Sequence, residues 1–224
     1  KSYLNRESGI VLGTVILAIA ILSLVGFGFG NEARITRSLG ITFLGSETYF
    51  GTWLIFVLMI PVGLGLPAAV AHFILRRPLR EFGFALGDVR VGMIWLLALI
   101  PGYVLLPLGS AQVGTAGYYL YLAEPDFIRP LNLAVHCASY AAFVIGFEFL
   151  FRGFLLFGLR QSLPATTAGK WAALVLAAAL ASLSLIGLPW VFPVSAFVSG
   201  ILGGLLNLRL HSIVYLAFIT WNFG

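Results

Sequence analysis

Charge and cysteine are what this sequence has least of. Charged residues make up 9% of the 224 positions, hydrophobic residues 60%, and the mean hydropathy is +1.03. A soluble domain carries about 25% charged residues, so a soluble fold is excluded. There is a single cysteine, Cys137, which rules out an internal disulfide framework and a Cys/His zinc cluster. Period-2 alternation is also missing from the apolar runs, which argues against strands. In lipid the backbone must close its own hydrogen bonds, and long unalternating runs do so as helices. The net charge of +5 is scattered over predicted loops. That pattern sets membrane topology and excludes nucleic acid as a partner. Internal repeats and low-complexity tracts are lacking too.

What is there is a succession of apolar runs: 9–29, 50–75, 91–108, 131–159, 171–186, 194–208 and a last one beginning at Ser212. The reading is an all-α, polytopic membrane helix bundle of about seven spans, one transmembrane domain over 1–224. The first run exceeds the apolar core of a signal peptide. Pro61 and Pro67 predict a kink in the second span. Pro101-Gly102 predicts a break in the third, and Gly187-Leu188-Pro189 a break after the fifth. Tyr118, Tyr119 and Tyr121 form an interfacial aromatic group, followed by Glu124, Asp126 and Arg129. Pro130 suits the first turn of the next helix. The fourth run is too long for one straight span. Placing the N-terminus in the cytoplasm puts Lys1, Arg6, Arg76, Arg77, Arg80, Arg90, Arg160, Lys170 and Arg209 inside, and only Arg34, Arg37 and Arg129 outside. The expected location is the cell membrane, with the lipid bilayer as first partner. The chain starts at Lys1, not Met, and stops at Gly224 inside a short apolar run; it is expected to be cut at both ends.

The fourth run holds one acid and one base, Glu148 and Arg152. On a helix these positions share a face. A charge at membrane depth costs roughly 2.5–3.5 kcal/mol on insertion scales, so such residues face the bundle interior and pair. Two readings stand level: a buried polar functional site, and a structural ion pair joining helices. Trp171 to Ile186 is rich in Ala, and the next run carries Ser199-Gly200 and Gly203-Gly204. Both suit close helix packing.

The stretch Phe147-Glu148-Phe149-Leu150-Phe151-Arg152-Gly153, continuing to Leu159, resembles the first motif of the CPBP family. These are the CAAX-protease and bacteriocin-processing (Abi) intramembrane metalloproteases. The usual motif is Glu-Glu-x-x-x-Arg, and this chain looks like the branch with an aromatic residue before a single Glu. Leu79 to Gly83 with Gly87 to Arg90 looks like the family's connector. Ser199 to Arg209 looks like its Gly-rich helix, and Trp221 sits where the branch has His-Trp. The resemblance covers about 79–224. It implies Glu148 as a general base on a metal-bound water, with Arg152 as its partner. It also implies two histidine ligands, and here the chain departs. The first falls at Leu185, with Ala181 in place of Phe, or at Gly187 in a shifted register. The second falls at Thr220. The family's following Asn falls at Gly224, with Asn222 nearby. His136 does not substitute: it lies about 18 Å from Glu148 along a helix and roughly 120° round it. Cys137 is nearly on the Glu148 face but three turns away. His72 and His211 read as interfacial.

The expectation is therefore a CPBP-like membrane protein without proteolytic chemistry, with no metal and no cofactor. It acts by binding other integral membrane proteins as a structural or regulatory subunit. Thr220 and Asn222 are candidates to fill the vacated polar pocket by hydrogen bonding to Glu148. The alternative is an active zinc-dependent intramembrane endopeptidase with Glu148 as base. A transport role is a third class, and the chain shows no inverted repeat to support it.

Overall fold

The computed structural model describes residues 6–24, 38–44, 46, 49–110 and 129–223. Helices fill nearly all of it. In chain order they are α1 (Arg6–Leu24), α2 (Tyr49–Ile74), α3 (Val89–Ser110), α4 (Pro130–Ser162), α5 (Thr167–Leu183), α6 (Val191–Leu210) and α7 (Val214–Phe223). Among the described residues, α1, α2, α4 and α6 are long and apolar enough to cross a membrane. The interfacial tyrosines Tyr118, Tyr119 and Tyr121, with Glu124 and Asp126, lie outside the described residues, as do Lys1, Arg34 and Arg37.

Short polar residues set the helix starts. Ser46 Oγ accepts from the Tyr49 amide at 3.1 Å, Asp88 Oδ1 from Val91 at 3.0 Å, and Thr166 Oγ1 from Gly169 at 3.1 Å. Each satisfies an amide that the helix itself leaves open. Pro130 opens α4, where its missing N–H is no loss. α6 ends on His211 in the left-handed region at φ 52°.

Two expected irregularities resolve differently. α2 is one continuous body, but Pro61 sits at the start of a widened π-type stretch, Ile60–Gly65, with a second at Val70–Ile74. A proline has no N–H to give, and the wider turn absorbs that loss. The break at Pro101-Gly102 is corrected: α3 runs through both residues to Ser110. By contrast the chain does leave the helix between Leu183 and Val191, around Gly187-Leu188-Pro189.

α4 is the axis. Its second half is buried and contains another π-type stretch, Phe149–Leu155, in which all seven residues are buried. Small residues let neighbours close on it and on each other. A Cβ added to Gly146 would come within 2.5 Å of the Met59 carbonyl oxygen on α2. One on Gly200 would meet Ala178 Cβ on α5 at 2.8 Å, and one on Gly203 would meet Leu216 Cδ2 on α7 at 2.3 Å. This is the close packing that membrane helices use in place of a hydrophobic drive. Phe149, Leu150, Phe151, Phe154 and Leu155 fill the centre with Val15, Met59 and Leu174.

Two substitutions separate packing from helix propensity. Gly146→Ala is expected to cost about 1–3 kcal/mol by overpacking. Gly13→Ala, where nothing lies within 4 Å, is expected to be neutral or to gain up to about 1 kcal/mol. Thermal unfolding in detergent micelles checks the pair; equal shifts would contradict the crossing described.

Candidate functional site

The wide turn in α4 is where the one buried acid and one buried base among the described residues sit. Glu148 is 1% exposed and Arg152 6%. Arg152 Nη1 donates to Glu148 Oε1, and Nη2 donates to Ser199 Oγ on α6 at 2.8 Å. π-type turns recur at functional positions because they reorient side chains that a regular helix would leave in register. Here the turn begins directly after Glu148 and contains Arg152.

The α6 face opposite is built at a four-residue spacing. Ser199 binds the guanidinium. Gly203 makes room beside it, since a Cβ there would lie 3.6 Å from Arg152 Nε. Asn207, one turn on, is 1% exposed, and neither its Oδ1 nor its Nδ2 has a hydrogen-bond partner among the described residues. Leu216 of α7 covers Gly203, and Thr220 follows it by one turn on the same helix face. Thr220 Oγ1, Tyr215 Oη and Glu148 Oε2 are likewise buried without a partner among the described residues. The interior therefore holds one satisfied ion pair and several unsatisfied polar atoms. Each such atom costs about 1–3 kcal/mol if left dry.

The expected residues fall as follows. Glu148 and Arg152 come together, and the pair reading of that spacing holds. The hydrogen bond expected from Thr220 to Glu148 is corrected: Thr220 Oγ1 and Glu148 Oε2 are both buried, and neither has a hydrogen-bond partner among the described residues. The Asn222 side chain lies outside the described set. Ala181 is buried in the core at 3% exposure, and Leu185 packs against the same cluster just past the end of α5. The Trp221 indole donates to the Cys137 carbonyl at 3.0 Å, tying α7 to the first half of α4.

The histidines are committed elsewhere. His136 Nδ1 meets Tyr49 Oη at 2.7 Å, among the rings of Phe56 and Tyr140. His72 packs edge-on to Phe73, and His211 lies against Phe157. Among the described residues, no group of three or more His, Cys, Asp or Glu comes together. A catalytic zinc wants imidazole, thiolate or carboxylate donors with one position open. The side chains that hydrogen bonds bring to Glu148 are a guanidinium and, through it, a serine. They do not fit that ion. Comparisons with family models, with curated proteins and with solved structures gave no match.

Ser199, Asn207 and Tyr215 are residues that sequence reasoning passed over as polar members. The signal was available: Ser199, Gly203 and Asn207 recur every four residues, which marks one polar stripe on an otherwise apolar helix.

Two buried polar groups give opposite tests from an ordinary core polar residue. Asn207→Leu and Thr220→Val remove orphan atoms, so each is expected to leave stability unchanged or raise it by about 1–3 kcal/mol. A drop in unfolding temperature for both would show that these groups have partners.

Proposed function

We propose that this chain is a CPBP-like integral membrane protein of about seven spans, N-terminus in the cytoplasm, that has kept the family's acid and arginine as structure and not as catalytic machinery. It works by binding other membrane proteins, as a structural or regulatory subunit. The observation that carries this reading is the state of Glu148. Its carboxylate is sealed in the bundle and held by an arginine that is itself held by Ser199. A general base must reach the proton it abstracts, and one neutralised by a fixed guanidinium is poorly suited to that task. The donor set around it adds support, since Leu185 and Thr220 stand where the resemblance implies imidazoles.

One observation favours the second reading, an active metal-dependent endopeptidase with Glu148 as base. Glu148 Oε2 has no hydrogen-bond partner among the described residues, so one carboxylate oxygen is left unengaged by the arginine.

Purified chain, reconstituted in lipid with zinc added, is expected to cleave membrane-embedded peptide substrates no faster than its Glu148→Ala variant. Zinc-dependent cleavage abolished by Glu148→Ala contradicts the proposal. On native gels of mildly solubilised membranes the chain is expected in a band larger than its monomer. Migration as a lone monomer counts against the subunit role.

A further inference from the structure

One end of the bundle gathers more than a topology signal. Arg77 donates to Glu7 at 2.8 Å and to Gln161, whose amide donates to the Glu81 carbonyl at 2.9 Å. The Ile213 amide donates to the Gly83 carbonyl at 3.0 Å. These bonds bring the start of α1, the α2–α3 connector, the end of α4 and the α6–α7 turn onto one face. Gly87, at φ +58°, lies so close to Leu210 that an added Cβ would sit 2.0 Å from its carbonyl oxygen. The connector is thereby pinned to the turn, so the arginines of these segments share one end of the bundle.

Those arginines are Arg76 and Arg80 on the connector, Arg90 in the first turn of α3, and Arg209 at the end of α6. All four are exposed, and none has a hydrogen-bond or ion-pair partner among the described residues. Arg76 holds φ 55°, a backbone state few side chains adopt. The carboxylates here do not neutralise them. Glu7 is taken by Arg77, Asp88 Oδ1 caps α3, and Glu81 remains as the single unengaged acid.

Apolar side chains flank the same arginines along the chain. Phe73 is 75% exposed and Ile74 58%, just before Arg76; Leu86 is 59% and Val89 51%, just before Arg90. Guanidinium groups seat phosphate by paired hydrogen bonds, while exposed apolar groups beside them suit acyl chains. We propose that this face binds the headgroup of an acidic phospholipid, with Arg80, Arg90 and Arg209 on the phosphate and Arg76 at its edge. The apolar flank is what assigns the site to a lipid and not to free phosphate. This inference rests on the membrane reading above.

Tryptophan quenching by brominated lipids tests it. The intact chain is reconstituted in phosphatidylcholine vesicles containing brominated phosphatidylglycerol or brominated phosphatidylcholine. The wild type is expected to prefer the acidic lipid, and R80Q/R90Q/R209Q to lose that preference by roughly fivefold per arginine removed. Equal quenching by the two lipids in the wild type overturns the proposal without needing the variant to fold. An unchanged preference in the triple variant overturns it as well. Loss of preference on adding inorganic phosphate at constant ionic strength assigns the arginines to a free anion and overturns the lipid. Absence of quenching by either lipid overturns this inference together with the membrane reading, a pattern that no failure of the headgroup site alone produces.

Discussion

The structure depends on one interaction, the buried contact between Glu148 and Arg152. Two charges have been taken out of solvent into a low-dielectric interior, and each carries a desolvation cost of several kcal/mol. That cost is offset only when the geometry is good and the remaining donors are engaged. Ser199 provides the second engagement, from a different helix. The pair is thus an internal feature of α4 and also a tie between α4 and α6. Beside it, Gly203 lets α7 close in, since an added Cβ would lie 2.3 Å from Leu216 Cδ2.

Around that tie the packing is apolar and close. The α4 turn carries a run of phenylalanines into the core, and neighbouring helices approach through Gly146, Gly200 and Gly203. The result is a bundle centred on its most polar helix. Hydrogen bonds at the charged end act differently. Arg77, Gln161 and the Gly83 carbonyl join connectors, not helices. They hold the short segments that carry the exposed arginines.

Much of this was legible in the sequence. Apolar runs gave the helices and most of their bounds, because burial and chain length constrain membrane helices strongly. Glu148 and Arg152 stood out because charge in such a run is costly, and their spacing alone put them on one face. The polar lining was harder. Ser199 looked like a packing residue beside Gly200, and Asn207 sat inside a Gly-rich run. Which atom each one meets is decided by helix rotation, and a one-dimensional pattern does not fix that. Pro61 and Pro101 show a second limit. Proline removes an N–H, but whether the helix breaks, widens or continues depends on how neighbours re-satisfy the freed carbonyl. α2 widened at Pro61, whereas α3 continued through Pro101. Thr220 was singled out by resemblance alone, and its hydroxyl has no hydrogen-bond partner among the described residues.

The account makes Glu148 a structural anchor whose worth lies in its pairing. A double-mutant cycle measures that directly: Glu148→Leu, Arg152→Met and the two together, by reversible unfolding in bicelles. Removing either partner leaves a lone buried charge and is predicted to cost about 3–5 kcal/mol, while the double variant costs less than either single change. Glu148→Leu at no cost, with an effect independent of Arg152, would contradict the account and leave the carboxylate free for another role.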